Sequence, residues 1–204
     1  MSEKSCGHHG HHKHRKLYRR IFFTIIFFII LILLAILIIW LVLRPSRPHF
    51  SLQDSSIIQL NFSSNTNYLT STLQVTLYSH NPNDRIGIYY DRLDTFITYK
   101  GQQITLATAL PNGYQGHHDV SIWSPYLYGT DVPLAPFLMV ALEQDENAGF
   151  LLLYVHVDGK LRWKVGSWMS GEYHITVSCP AFFTFDGLKS SFRFHQPTSC
   201  TVDI

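Results

Sequence analysis

The sequence predicts an all-β domain, an antiparallel β-sandwich, preceded by a single transmembrane helix. Two observations predict this architecture. Residues Ile21 to Leu43 form one apolar run without a charge, a Gly or a Pro. From His49 onward, apolar and polar residues alternate in short segments separated by turn-forming residues, which is the pattern of half-buried strands.

The apolar run is long enough to cross a bilayer. At about 1.5 Å per residue a helix of this length reaches roughly 34 Å, and the hydrocarbon core is about 30 Å thick. The run is longer than the h-region of a signal peptide, about 7–15 residues, and it leads into Arg44-Pro45 without a small-residue cleavage site. We therefore expect residues 21–43 to be an uncleaved signal anchor in contact with membrane lipid.

Charges on either side of the run predict its orientation. Residues 1–20 contain six Lys and Arg against one Glu, whereas only Arg44 and Arg47 follow closely after the run. An excess of basic residues marks the cytosolic side, so the N-terminus is expected in the cytosol and the C-terminal domain outside the cell.

Residues 1–20 are expected to be a basic, His-rich, disordered cytosolic head, because they show no apolar periodicity. The basic cluster can contact lipid phosphates, and weak metal capture by the five histidines is the alternative. Cys6 is a candidate for palmitoylation. Two prolines in residues 44–50 predict a short, stiff stalk, which leaves residues 51–204 for the folded domain.

Strand signals recur along that domain. Apolar residues alternate with polar ones over Leu73–Leu77, Ile86–Tyr90 and Thr95–Tyr99. Asp158-Gly159 lies between two apolar segments and predicts a tight hairpin there. A further strand is expected over residues 171–179, with Ile175 and Val177 on one face.

These signals add up to seven or eight short strands. The only possible helical turn is Pro136–Glu143. Many short strands with frequent turns are typical of a sandwich of the immunoglobulin or fibronectin III type, and a closed barrel is the alternative.

The cysteines agree with the predicted topology. Cys179 and Cys200 lie in the exported part, where disulfides persist, so we expect them to pair; two unpaired thiols are the alternative. Such a bridge would stabilise the fold by about 3 kcal/mol. Asn61 begins the only Asn-x-Ser/Thr site of the chain, and it is a candidate for glycosylation.

No catalytic, cofactor-binding or metal-binding residues are predicted. His117 and His118 would point to opposite faces of a strand, and no nucleophile elbow or phosphate loop is present. Residues 44–204 carry ten Lys and Arg against thirteen Asp and Glu, which argues against nucleic acid as a partner. An enzyme acting on wall polysaccharide would need two carboxylates about 5–10 Å apart in a cleft.

Aromatic residues concentrate near the predicted turns. Such side chains either fill the core of a small sandwich or form contact platforms for sugars and proteins. The set comprises Tyr89, Tyr90, Tyr114, Trp123, Tyr126, Tyr128 and Trp168.

One segment resembles a known family. Asn81-Pro82-Asn83, followed by Tyr89-Tyr90, Tyr114-Gln115-Gly116 and Trp123-Ser124-Pro125, is similar to the plant non-race-specific-disease-resistance and hairpin-induced-like proteins, whose outer domain is of the late embryogenesis abundant group 2 type. The resemblance also covers the basic head and the single span. Asn81-Pro82-Asn83 is also expected to form a structural corner through Asx-turn bonds and the fixed φ of proline.

The resemblance implies a fibronectin-like sandwich, residence in the plasma membrane and a role in defence against pathogens. It also implies that some members act at plasmodesmata, in senescence, or in holding the membrane to the wall, and that no catalytic residues are defined. We therefore expect a non-enzymatic, membrane-anchored defence protein that binds a wall component or a membrane protein. The alternative is a membrane protein that protects against desiccation or senescence stress.

Overall fold

The computed structural model describes residues 11–42, 44–63, 67–186 and 191–204. It consists of two compact units, Met1–Arg44 and Pro45–Ile204, and each is described by itself.

The first unit contains one helix, α1 (His11–Val42). Its segment Tyr18–Leu37 is long and apolar enough to cross a membrane. The helix begins ten residues before the apolar run, so the prediction of a disordered head is wrong from His11 onward. Once a helix is nucleated, extending it through good helix formers such as Lys, Arg and Leu requires no new nucleus.

The second unit is built from fourteen strands and one helix in the described residues. Their bounds are β1 (His49–Ser63), β2 (Tyr68–His80), β3 (Gly87–Tyr99), β4 (Gln102–Gln103), β5 (Thr108–Leu110), β6 (Gly113–Gln115), β7 (Val120–Trp123), β8 (Tyr126–Pro133), α2 (Pro136–Ala148), β9 (Phe150–Val165), β10 (Trp168–Met169), β11 (Tyr173–Asp186), β12 (Ser191–Phe194), β13 (Thr198–Ser199) and β14 (Thr201–Asp203).

The strands form two antiparallel sheets. Sheet 1 has the order β13-β1-β2-β7, and β8 also pairs with β2. Sheet 2 has the order β12-β11-β9-β3-β4; in addition, β5 and β6 pair with β3, β10 pairs with β9, and β14 pairs with β11. Buried side chains from both sheets form a single core cluster, which confirms the predicted all-β, sandwich-like fold.

The alternation predicted for β2 is confirmed. Leu73, Val75 and Leu77 are fully buried, and the residues between them are half-exposed. Burying each of these side chains stabilises the fold by about 1.5–3 kcal/mol. The strand therefore presents one face to the core and a polar face outward.

The hairpin predicted at Asp158-Gly159 is wrong, because β9 runs through this pair without turning. Gly159 is needed for another reason. The neighbouring strand β3 carries a bulge between Tyr90 and Arg92, and a Cβ at position 159 would overlap the carbonyl oxygen of Arg92. The actual reversal lies at residues 166–167, where Gly166 adopts a φ of +58° and β10 folds back onto β9.

Three further boundaries differ from the prediction. The segments Ile86–Tyr90 and Thr95–Tyr99 belong to the single strand β3. Helix α2 continues beyond Glu143 to Ala148, because its polar second half contains no helix breaker before Gly149, whose φ of 81° ends it. The predicted stalk 44–50 is shorter, since β1 begins at His49 and Phe50 belongs to the core.

Candidate functional site

Asn81-Pro82-Asn83 forms the corner between β2 and β3. Asn81 is fully buried, and its amide nitrogen donates to the carbonyl oxygens of Ile86, at 2.7 Å, and Gly116, at 2.8 Å. Its amide oxygen accepts hydrogen bonds from the backbone N–H of Asn83, at 3.1 Å, and from the side-chain amide of Asn83, at 2.8 Å. The backbone bond is that of an Asx turn. One side chain thus fixes both the corner and the neighbouring loop.

Asn83 links this corner to the chain that enters the domain. The backbone N–H of Ser46 donates to Oδ1 of Asn83 at 2.7 Å, and Nδ2 of Asn83 donates to the carbonyl oxygen of Ser46 at 2.8 Å. One residue later, the Arg47 guanidinium donates to the carbonyl oxygen of Val202 at 3.0 Å and pairs with Asp203 at 3.3 Å. The entering chain is therefore held both by the corner and by β14.

A buried polar network lies beside the corner. The Tyr90 hydroxyl donates to Oε1 of Gln115 at 2.9 Å and lies 3.0 Å from the Ser79 hydroxyl. Nε2 of Gln115 donates to the carbonyl oxygens of Ser79, at 2.8 Å, and Asp119, at 3.0 Å. Burial raises the pKa of Tyr90 above the ordinary tyrosine value.

The polar side chains of this network form hydrogen bonds with one another and with backbone carbonyl oxygens. Within the described ranges, no buried side-chain nitrogen or oxygen lacks a hydrogen-bond partner. Asn81, Asn83 and Tyr90 therefore act through the fold and leave no free polar group for a ligand.

Tyr89 lies on the opposite face of β3 from Tyr90. Its ring packs against the Tyr114 ring at a centroid distance of 4.7 Å, and the Lys164 ammonium lies 5.4 Å from the first ring centre and 5.1 Å from the second. The Tyr114 ring also covers Gly87, where a Cβ would overlap it. These contacts form a half-exposed cation–π cluster on the outer face of sheet 2.

The outer face of sheet 1 carries a pair of exposed tyrosines. Tyr126 and Tyr128 point outward from β8, 45% and 52% exposed, with ring centroids 6.3 Å apart and planes within 20° of each other. Gln74 and Thr72 lie directly opposite them on β2, and Ser56 and Gln59 lie opposite those residues on β1. We call this six-residue surface the tyrosine face.

The two sheets differ in charge. None of the five strands of sheet 1 contains a Lys or an Arg, and their only carboxylates are Asp54 and Asp131. The strands of sheet 2 contain ten charged residues, among them the pair in which Nε of Arg162 donates to Asp91 at 2.7 Å. The tyrosine face is therefore a nearly neutral, hydrogen-bonding surface with two amphipathic rings.

The seven aromatic residues singled out in the sequence divide between core and surface. Trp123 packs 6.2 Å from the Phe50 ring and 5.6 Å from the Tyr90 ring, and Tyr90 is only 2% exposed. Tyr114, Tyr126, Tyr128 and Trp168 are exposed, and Tyr89 is half-exposed. The set is therefore neither entirely core nor entirely a surface platform.

The histidines form no metal site in the part of the chain that the structure describes, where no group of three or more His, Cys, Asp or Glu converges. His117 and His118 lie in the turn after β6, and Nε2 of His118 is 2.7 Å from Asp84. His156 lies 3.1 Å from the Thr98 hydroxyl, and its partial burial lowers its pKa.

Two carboxylates lie opposite each other on sheet 2. Asp94 of β3 is paired in register with Asp158 of β9, which places their Cβ atoms about 5 Å apart. Asp94 forms an ion pair with Arg92 at 2.7 Å, and Asp158 lies 3.2 Å from Nε2 of His174. Each carboxylate has its own basic partner on a sheet surface, which differs from the solvent-shielded acid of a glycosidase pair.

The remaining predicted residues lie in different places. Cys179 and Cys200 are joined by a disulfide, and the backbone N–H of Cys200 donates to the carbonyl oxygen of Phe50 at 3.0 Å. Asn61 is exposed on β1, in register with Thr70. Cys6 lies outside the described residues.

Sequence reasoning missed the tyrosine face as a site, although part of its signal was available. The spacing of Tyr126 and Tyr128 by two residues places both on one face of any strand. The absence of Lys and Arg from residues 48–84 and 120–133 was also visible. What the sequence does not give is the pairing of β8 with β2, which brings these segments together.

Comparison with known proteins places this chain among plant sequences. The family described as "Late embryogenesis abundant protein" matches residues 76–180, from β2 to β11. NDR1/HIN1-like protein 1 of Arabidopsis thaliana is 49% identical over 209 residues, covering 98% of this chain and 100% of that protein. NDR1/HIN1-like protein 12 of the same plant is 48% identical over 182 residues, covering 89% of this chain and 86% of that protein.

A solved structure is also similar. The solution structure of a putative late embryogenesis abundant protein covers 70% of this chain and 74% of its own, with 14% sequence identity and a TM-score of 0.32.

Proposed function

This chain belongs to the NDR1/HIN1-like proteins that contain a late embryogenesis abundant domain, and from this membership we propose that it is a non-enzymatic, membrane-anchored protein of plant defence whose outer domain binds neutral wall polysaccharide. Membership supports a role in plant defence or stress. Anchoring, topology and the ligand are our proposals.

The anchor is the apolar part of helix α1. Its length and composition suit a membrane span, and the six Lys and Arg among residues 1–20 favour a cytosolic N-terminus. The sandwich would then lie outside the plasma membrane, facing the wall or the space within plasmodesmata. The disulfide and the exposed Asn61 suit an exported domain, and we propose that Asn61 carries a glycan.

The observation that carries the proposed ligand is the neutral tyrosine face. Tyr126 and Tyr128 offer rigid rings with an apolar surface for the C–H faces of pyranose sugars. Gln74, Thr72 and Gln59 supply amide and hydroxyl groups for hydrogen bonds to sugar hydroxyls. Residues of both kinds lie side by side on three adjacent strands, so an extended sugar chain could contact them together.

The lack of basic residues on the strands of sheet 1 favours neutral over acidic wall polymers. A uronate polymer would bring carboxylates to a sheet without any Lys or Arg, near Asp54 and Asp131, and like charges would repel. Neutral β-glucans and xyloglucan carry no such charge. We therefore propose neutral glucans as the ligand class, and binding should change little with salt.

Depletion of the full chain from detergent solution by wall fractions tests this proposal. We expect binding to cellulose or xyloglucan-coated cellulose and little binding to polygalacturonate. The double variant Tyr126→Ala/Tyr128→Ala should weaken binding by about tenfold or more, since exposed tyrosines often dominate contact energies. Tyr154→Ala is the matched control, because Tyr154 is an exposed tyrosine on sheet 2. Equal affinity of the double variant and the wild type would refute the assignment, as would preferential binding to polygalacturonate.

A protective role under water stress is the second candidate, and the description of the matching family favours it. A folded core distinguishes this chain from protective proteins that work while disordered. Induction of the protein by drying, together with unchanged pathogen growth when it and its close relatives are removed, would favour this role over defence.

A further inference from the structure

One tryptophan is exposed at the end of the sandwich where the chain enters. Trp168 follows the reversal at residues 166–167 and is 62% exposed, and the next residue, Met169, is also exposed. The other two tryptophans of this unit, Trp123 and Trp163, belong to the core or pack against it. A large apolar side chain exposed at a loop tip indicates a contact with another molecule or with a membrane.

Strand register fixes which end this turn occupies. Gly87, the first residue of β3, pairs with Lys164 near the end of β9, and Trp168 of β10 pairs with Val165. The turn therefore lies beside the Asn81-Pro82-Asn83 corner, which precedes β3. Ser46 is bonded to that corner through Asn83, so Trp168 and the entering chain share one end of the domain.

That end cannot be far from the bilayer if residues 21–43 span it. An extended chain advances at most about 3.6 Å per residue, so the three steps from Leu43 to Ser46 cover no more than about 11 Å. The opposite end of the sandwich lies much further from Ser46, because the twelve steps of β2 from Tyr68 to His80 cover about 40 Å. The short connection therefore keeps the end with Trp168 within reach of lipid headgroups.

The residues around Trp168 suit the headgroup layer. Tryptophan and tyrosine prefer the membrane–water interface, where the ring is partly buried and its polar atom stays hydrated. The Lys164 ammonium lies over the Tyr89 and Tyr114 rings close to the turn, and Arg85 is exposed at the neighbouring corner. These two cations can contact lipid phosphates while the indole enters between the headgroups.

We propose that the turn after β9 inserts Trp168 into the headgroup layer of the bilayer in which the chain is anchored, giving the outer domain a second membrane contact. The inference rests on the membrane anchor of the proposed function and is independent of the polysaccharide ligand.

Tryptophan fluorescence of the full chain in phosphatidylcholine nanodiscs tests this. The difference between the wild type and Trp168→Phe isolates the signal of Trp168, and the exposure of this residue means that the substitution should leave the denaturation midpoint unchanged. We expect lipids carrying a quencher near the headgroups to remove at least about half of that difference signal, because interfacial indoles lie at this depth. Acrylamide dissolved in the water should quench it weakly.

The matched control is Phe137→Trp in the Trp168→Phe background. Phe137 is exposed on α2, and the segment leading into α2 is bonded to Asn67 at the other end of the sandwich. A tryptophan there should be open to acrylamide and insensitive to the lipid quencher.

Two contrary results are distinguishable. Trp40 lies within the predicted span, so the signal that remains in Trp168→Phe should itself respond to the lipid quencher. If Trp168 responds to both quenchers as the tryptophan at position 137 does, while that remaining signal is still quenched by lipid, the second contact is refuted and the anchor stands. If lipid quenches neither that remaining signal nor Trp168, the anchor itself is refuted, and the inference falls with it.

Discussion

Replacing Asn81 by Ala should destabilise the sandwich domain more than any surface change. The substitution leaves three buried groups without their partner: the carbonyl oxygen of Ile86 and two N–H groups of Asn83. The half-buried carbonyl oxygen of Gly116 also loses a bond, but it keeps the one from the Asp119 N–H at 3.3 Å. An unsatisfied buried group costs about 1–3 kcal/mol, and entering water will satisfy some of them, so we expect a loss of about 4 kcal/mol in the free energy of unfolding.

Guanidinium unfolding of the domain 45–204, with its disulfide intact, measures this loss. With a slope of about 4 kcal/mol per molar denaturant, the midpoint should fall by about 1 M. Asn112→Ala is the control, because Asn112 is exposed between β5 and β6, and its effect should stay within about 0.5 kcal/mol.

The isosteric change Asn81→Asp adds a test through pH. Burial and the facing carbonyl oxygens of Ile86 and Gly116 should raise the folded-state pKa of the carboxyl group introduced at position 81 above the ordinary aspartate value. A raised folded-state pKa means that the variant keeps its stability below the ordinary pKa and loses it as the pH rises through the raised one. The deficit of Asn81→Asp against the wild type should therefore be larger at pH 7 than at pH 4. A loss below about 1 kcal/mol for Asn81→Ala, or a deficit of Asn81→Asp that is independent of pH, would refute the reasoning.

Three further predictions follow from the fold. Gly159→Ala should destabilise the domain by about 1–3 kcal/mol, measured as a lower melting temperature, because the added Cβ would overlap the Arg92 carbonyl oxygen. Gly113→Ala is the control, since a Cβ at position 113 would have open space around it. Equal effects of the two substitutions would contradict the close approach. Cys200→Ser should lower the free energy of unfolding by about 3 kcal/mol, and treating the wild type with reductant should reproduce the loss; a midpoint insensitive to reductant would contradict it. In an alkaline absorbance titration, Tyr90 should ionise last and together with unfolding, because burial raises its pKa and the fold loses stability as the pH rises above the ordinary tyrosine pKa. Tyr90→Phe should remove that late step. An unchanged titration curve of the variant would contradict the assignment.

The parts of the fold that were predictable depend on local pattern. Leu73, Val75 and Leu77 alternate with polar residues, and that period alone places them in a strand with one buried face. The apolar run 21–43 likewise predicts a helix long enough to span a membrane, and α1 covers this run as far as Val42. Each of these signals is complete within a few residues of sequence.

The parts that were not predictable depend on neighbours distant in sequence. Asp158-Gly159 has the composition of a hairpin turn, yet the glycine permits a close approach to the backbone of Arg92, 67 residues earlier in the chain. The corner at Asn81 was expected to be structural, but its bonds to Gly116 and, through Asn83, to Ser46 depend on the completed fold. No local window contains these partners.

The paired bonds between Ser46 and Asn83 also determine how the domain bears mechanical load. Tension along the chain ahead of Pro45 reaches these two bonds before it reaches β1, whose first pair with β2 is His49 with His80. Without them, the pull would pass to the Arg47 contacts with β14 and would then open the β1–β2 ladder one bond at a time from its end. With them, the two bonds must break together before that peeling begins, so the rest of the sandwich is shielded from forces that the corner can bear.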